Sequence, residues 1–310
     1  MDKIIIAIHG LANKPPKETI SPWWKTSILE GLEKNCQIQN PNFQFNLVFW
    51  ADLLYKHPRH NDSNFSFDSQ YNHEPYVPAK PGALKKYKDS IWDELQRESL
   101  DIFGDTLDFF YFNFSFDNLT SLSIDRIEFL RDLKFYYENK QNILNRQGKL
   151  EPVRKVIRDE VKQTLLAHQD KEVMIIGHSM GSIIAYDCLR DLGQEKPNLK
   201  VPYFVTIGSP LGLPYVKKQI IKERDYSPEV RTPTVVTKSW VNFADKRDLI
   251  AADAHLSDDY SNNKNRISVQ DNLVANDYER PDGSGPNYHK SYGYLRTPEL
   301  SEHIKLFLEK

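Results

Sequence analysis

Val173-Met174-Ile175-Ile176-Gly177-His178-Ser179-Met180-Gly181 is the stretch on which the reading of this 310-residue chain turns. Its four leading apolar residues have the length and composition of a strand buried on both faces. Ser182 to Leu192, immediately after, reads as an amphipathic helix. The pattern G-x-S-x-G between a strand and a helix describes a sharp bend with a serine at its crest. A serine hydroxyl is a weak nucleophile until a strained turn presents it to a base. Such a turn brings strand and helix so close that the positions two before and two after the serine have no room for side chains, which Gly177 and Gly181 satisfy. The helix start also aims free N–H groups, that of Met180 first, at any developing anion. Ser179 is therefore the candidate nucleophile, and its hydroxyl is expected to lie open to a base.

Toward the N-terminus, residues 3–9 form another β-branched apolar run, ending in His9-Gly10-Leu11 and a polar loop. Gly10 lets backbone approach closely there, so Leu11 N–H is the candidate partner of Met180 N–H in an oxyanion hole, with His9, Gly10 and His178 beside it. Ser21-Pro22 reads as an N-cap and first-turn proline opening a helix that carries Trp23, Trp24, Ile28 and Leu32. Phe43 to Trp50 reads as the next strand. Residues 52–150 interrupt this rhythm with a loop-rich stretch and two segments of helical character, 84–110 and 122–146. Between those segments, rings recur at every second position from Phe110 to Phe116, echoed by Phe65-Ser66-Phe67. Rings at period two fit a short hairpin; packing inside an inserted cap of helices is their expected role, with a lid over a greasy acyl site as the alternative. The organisation is thus a core of 1–51 and 151–310 with a cap or lid inserted at 52–150.

The rhythm resumes with a stripe of Val153, Val156, Ile157, Val161 and Leu165, strands at Tyr203–Ile207 and Val235–Phe243, a final strand pair over Ile267–Val274, and a helix over Ser301–Leu308. Alternating strands and helices predict an α/β fold whose mostly parallel sheet carries helices on both faces. In such a sheet the partners of a nucleophilic serine follow it in the order acid, then base, on loops at the carboxyl ends of later strands. Asp245 and Asp248 compete as the acid; the apolar Leu249-Ile250-Ala251 that would anchor the loop favours Asp248. His289 is the expected base, in a loop ahead of the last helix, in preference to His255 and to a solvated His303.

The net charge of -2 excludes the basic footprint of a nucleic-acid binder. No stretch approaches the roughly 18 consecutive apolar residues of a spanning helix, the N-terminus does not resemble a signal peptide, and Cys36 and Cys188 lack metal-type or redox-type neighbours. A reduced, cytoplasmic chain is expected, with peripheral membrane contact still compatible. No metal and no cofactor is expected: H-E-x-x-H is absent, and His57-Pro58-Arg59-His60 has no carboxylate placed to complete a site. The sequence is silent on oligomeric state.

Together these residues resemble the α/β-hydrolase serine esterases and lipases, especially the branch similar to inositol-deacylase-like lipases and related bacterial hydrolases. The likeness is carried by Ile4 to Leu11, Gly177 to Gly181, Thr206-Ile207-Gly208-Ser209-Pro210-Leu211, Trp240-Val241-Asn242-Phe243 with Asp248, and Tyr288-His289-Lys290-Ser291-Tyr292; it skips 52–150. The resemblance implies that Pro210 and Leu211 line the wall of the site. Where relatives often have Asp-Pro-Val-Ala at the acid, this chain has Asp248-Leu249-Ile250-Ala251. The implied activity is cleavage of a small-molecule or lipid ester through Ser179, His289 and Asp248. A thioesterase or acyltransferase with the same machinery, or a non-catalytic binding module on the same scaffold, are the alternatives.

Overall fold

The structure is a computed structural model and describes residues 2–11, 13–55, 75–82, 84–87, 133–223, 229–251 and 253–309. Six strands, β1 (Lys3–Ile8), β2 (Gln44–Val48), β3 (Glu172–His178), β4 (Val201–Ile207), β5 (Val236–Ala244) and β6 (Val269–Leu273), form one sheet. Its spatial order is β6-β5-β4-β3-β1-β2 and every pairing is parallel. Where a final strand pair is expected over 267–274, the structure has the single edge strand β6.

The side chains of β1 divide between two cores, as the two-residue period of a strand requires. Ile4, Ile6 and Ile8 join the apolar cluster of α2 (Val153–Ala167), α3 (Met180–Glu195) and α4 (Pro214–Glu223). Ile5 and Ala7 join that of α1 (Lys17–Cys36), α5 (Ser291–Leu295) and α6 (Pro298–Glu309). Both faces of the sheet are therefore covered. The chain moves outward from β1 to β2, then returns to the other side of β1 as β3 and continues away from it. Because parallel crossovers keep one hand, the reversal puts α1 and α3 on opposite faces. The reversal falls at the carboxyl ends of β1 and β3, the place where open α/β sheets hold ligands.

Three local expectations differ. Helix α1 starts at Lys17, after Pro16, rather than at Pro22. Thr19 and Ile20 N–H both donate to Pro16 C=O (2.9 and 3.0 Å), which opens the helix there, and Pro22 lies inside it, where it supplies no N–H to Glu18 C=O. The helical expectation over 122–146 holds only at 133–138 among the described residues. Asn139 adopts φ 49°, and a hairpin pairs Asn142–Leu144 with Leu150–Pro152 around Gly148 at φ 77°. The Asn145 carboxamide oxygen, accepting from Gln147 and Lys149 N–H, fixes that turn. His303, expected in solvent, is half-buried with its ring 6.2 Å from Tyr203 and 6.0 Å from Phe243. Leu133, Tyr136 and Tyr137 pack into the core even though they lie within 52–150. The ring runs at 65–67 and 110–116, the bulk of 84–110, and His57 and His60 lie outside the described residues.

Candidate active site

Ser179 stands between β3 and α3 with φ 52° and ψ -129°, a backbone conformation that non-glycine residues adopt only where the surroundings impose it. Those surroundings are close backbone contacts. Ser179 N–H donates to Ile207 C=O (3.1 Å), tying the bend to the end of β4. A Cβ on Gly177 would meet Ser182 Cα at 2.7 Å, and one on Gly181 would run into the carbonyl oxygens of Ile8 and His9, the latter at 2.6 Å. Neither contact can be relieved by turning a side chain. Gly181→Ala is therefore expected to push α3 off the end of β1 and lower stability by roughly 1–3 kcal/mol, visible as a lower midpoint in thermal unfolding; an unchanged midpoint would contradict the tight packing.

The first-strand loop closes over the serine. A Cβ on Gly10 would lie 2.8 Å from Ser179 Cβ and 3.0 Å from His178 Nδ1. Trp50 N–H donates to His9 Nε2 (3.2 Å), so His9 carries its proton on Nδ1 and donates it to Gly10 C=O (2.8 Å). The ring also stacks on Trp50, 4.9 Å between centroids at 14°. Burial, with the Lys14 ammonium adding to it, brings the pKa of His9 down to about 3, so this ring is neutral. Gly10 C=O and Leu11 N–H belong to one peptide unit and point in opposite directions. The His9 bond thus orients Leu11 N–H, which meets no backbone carbonyl among the described residues. Met180 N–H, at the first position of α3, is one of the donors a helix start leaves without an intrahelical partner.

Asp248 and His289 come together 41 residues apart in sequence. His289 Nδ1 lies 2.9 and 2.8 Å from the two carboxylate oxygens of Asp248. That carboxylate is buried and also accepts from Ile250 N–H (2.9 Å), Ala251 N–H (3.4 Å) and Tyr294 Oη–H (2.7 Å). Asp245 is engaged elsewhere, by Arg247 through backbone and guanidinium and by Asn276 N–H at 2.6 Å. Gly208, at φ 53°, is where backbone passes under the pair: a Cβ there would sit 2.9 Å from Asp248 Oδ2 and 3.3 Å from His289 Nδ1.

Two expected features differ. Ser179 is 2 % exposed rather than open, because the Gly10 backbone lies against its Cβ. The ring of His289 bonds to Asp248, and Ser179 Oγ is not among its partners. Of the residues expected to line the site, Gly10 and His178 adjoin Ser179 and His9 packs against Trp50 behind Gly10; Pro210 and Leu211 are buried, Leu211 within the core cluster. Gly208 lies against the Asp248–His289 pair. His255 is not brought to Asp248; its N–H donates to Asp253.

Sequence reasoning passed over Tyr294 and Asn276. Tyr294 Oη accepts from Asp245 N–H (3.0 Å) while donating to Asp248, so one phenol braces both ends of the 245–248 turn. Burial, with Asp248 and Asp245 nearby, pushes that phenol well above its ordinary pKa and keeps it a donor. Asn276 Nδ2 donates to the carbonyls of Tyr288 (2.8 Å) and Lys290 (2.9 Å), on either side of His289. A buried phenol or carboxamide has no local spacing signal, so neither role could be read before the chain was folded. Among the described residues there is no cluster of three or more His, Cys, Asp or Glu able to hold a metal ion, and no helix long and apolar enough to cross a membrane.

The fold and this constellation define an α/β protein with a parallel sheet covered on both faces, an architecture compatible with the α/β-hydrolase fold. A scan against protein-family models and a search of curated proteins return no match for the chain.

Proposed function

We propose that the chain is a serine hydrolase that cleaves carboxylic esters through an acyl-enzyme. The observation that carries this reading is the bond between His289 Nδ1 and a buried, fully satisfied Asp248, formed at the carboxyl ends of the strands beside the bend that holds Ser179. A carboxylate on Nδ1 leaves Nε2 unprotonated, the tautomer a general base needs. In this mechanism His289 takes the proton of Ser179 Oγ as that oxygen attacks the acyl carbonyl. The tetrahedral oxyanion is held by the N–H groups of Leu11 and Met180, and His289 returns the proton to the leaving alcohol. A serine–histidine hydrogen bond commonly tightens only when substrate is bound, so the orientation of the base is the more telling geometry here.

A fluorophosphonate probe is expected to label the wild type and to leave Ser179→Ala unlabelled; equal labelling of both would end this reading. Chain-length profiling with p-nitrophenyl esters separates a small-ester substrate from a lipid one. The same acyl-enzyme serves thioesters or acyl transfer, according to which leaving group and acceptor enter. The burial of Ser179 favours a second reading, a non-catalytic binding module on this scaffold. Failure of the wild type to react with the probe would support it.

A further inference from the structure

His178 is a buried titratable group beside Ser179 that the proposed mechanism does not use. We propose that His178, the residue before the nucleophile, is a positioning residue that fastens the loop of the base to the bend carrying Ser179. This role rests on the hydrolase reading of the same site. His178 Nε2 lies 2.7 Å from the backbone carbonyl of His289. A carbonyl only accepts, so Nε2 carries the proton and donates it. The bond spans 111 residues of sequence, yet it joins the immediate neighbour of the nucleophile to the base itself.

The rest of the base loop is held in the same way. Asn276 takes the carbonyls on either side, Tyr288 and Lys290, so three consecutive carbonyls are gripped by two side chains. His289 N–H donates to Asn287 Oδ1 (3.0 Å). Asp248 fixes the imidazole through Nδ1, and His178 fixes the backbone that carries it. With both held, little freedom remains for the plane of the ring. The His178 ring is itself confined: its centroid lies 4.7 Å from that of His289 and 6.2 Å from that of Trp24, and the Gly10 backbone packs on its other edge. Burial first, and then the neighbouring His289, hold His178 well below the ordinary histidine pKa, so it stays a neutral donor while His289 gains and loses its proton. The arrangement links nucleophile and base through a single side chain, so a shift of the bend carries the base with it.

The test compares wild type, His178→Gln and His178→Leu. Glutamine places an amide N–H near the position of Nε2, whereas leucine fills similar space with no donor. Kinetics on p-nitrophenyl acetate are read alongside the rate of fluorophosphonate labelling and thermal unfolding. Loss of the clamp is expected to lower kcat of the leucine variant by about 100-fold, the scale of a small misplacement of a catalytic group, with KM within about twofold of wild type. The glutamine variant is expected to recover to within about tenfold of wild type. Equal losses in both variants, or full activity in the leucine variant, would overturn the role of His178 while wild-type labelling still upheld the hydrolase. An unlabelled wild type would overturn the hydrolase itself. If neither variant folds, nitrogen NMR of the wild-type imidazoles decides: a proton found on His178 Nδ1 rather than Nε2 is incompatible with the clamp.

Discussion

Asp248→Asn is expected to leave the protein folded and to lower kcat toward an ester by roughly 10⁴-fold, the loss seen when the same change is made in serine proteases. The hydrogen bonds around Asp248 dictate how the carboxamide must sit. Oδ1 accepts from Ile250 and Ala251 N–H, so the oxygen of asparagine has to stay there. The amide nitrogen then replaces Oδ2, facing His289 Nδ1 and Tyr294 Oη. The Nδ1 proton then keeps only Oδ1, 2.9 Å away and already shared by two N–H groups, and His289 relieves its clash with the new amide by moving its proton to Nε2. In that tautomer it has no lone pair for the proton of Ser179. The volume is unchanged, so thermal unfolding is expected to stay close to wild type while fluorophosphonate labelling slows in parallel with kcat. A variant within tenfold of wild type would mean that Asp248 does not orient the base. Asp245→Asn would produce no comparable loss of tautomer control, since Asp245 holds Arg247 and Asn276 instead.

The second large effect concerns stability. Asp187 lies on α3 with no exposure and accepts from Tyr136 Oη–H (2.9 Å) and Arg158 Nη2 (2.5 Å), with Arg190 Nη1 at 3.5 Å. Arg154, Arg158 and Arg190 are nearly buried around it, and Asp191 and Glu223 supply the remaining counter-charge. Asp187→Ala leaves guanidinium groups in a dry site with one carboxylate fewer. Removing one partner of a buried pair costs about 3–5 kcal/mol, and the lower end applies because Asp191 and Glu223 remain. A fall of roughly 5–10 °C in unfolding midpoint is the expected scale; a change below about 2 °C would show that the cluster is structurally idle. Burial alone would raise the Asp187 carboxyl, but the arginines override it and hold it below its ordinary value. A carboxyl depressed in the folded state stabilises above its unfolded pKa, and that contribution disappears as pH falls through the folded pKa. The gap between wild type and variant is therefore expected to be full at neutral pH and to close in strong acid.

Much of the fold was legible because its signals are local. The β-branched run at the N-terminus, the strand before Gly177 and the stripe from Val153 to Leu165 each declare their burial through spacing alone. The bend at Ser179 was legible for the same reason, since two glycines two residues from a serine are a steric requirement written within five positions. The start of α1 was not, because Pro22 resembles a helix opening whether or not an earlier turn precedes it. The break after residue 138 was missed because Asn139 and Gly148 act through left-handed backbone, which apolar spacing does not register.

Asp248 and His289 were singled out in the sequence by their order and their place after strands, both consequences of how a parallel sheet is threaded. What spacing could not reach are contacts between residues far apart in the chain. The grip of Asn276 on two carbonyls, the phenol of Tyr294 between two aspartates, the bond from His178 to His289 and the burial of Ser179 under Gly10 depend on where loops land after folding. Periodicity encodes which face of an element is dry. Which side chain satisfies a buried carbonyl or carboxylate is settled only when the elements are packed together, because any donor of suitable reach would serve until packing chooses one.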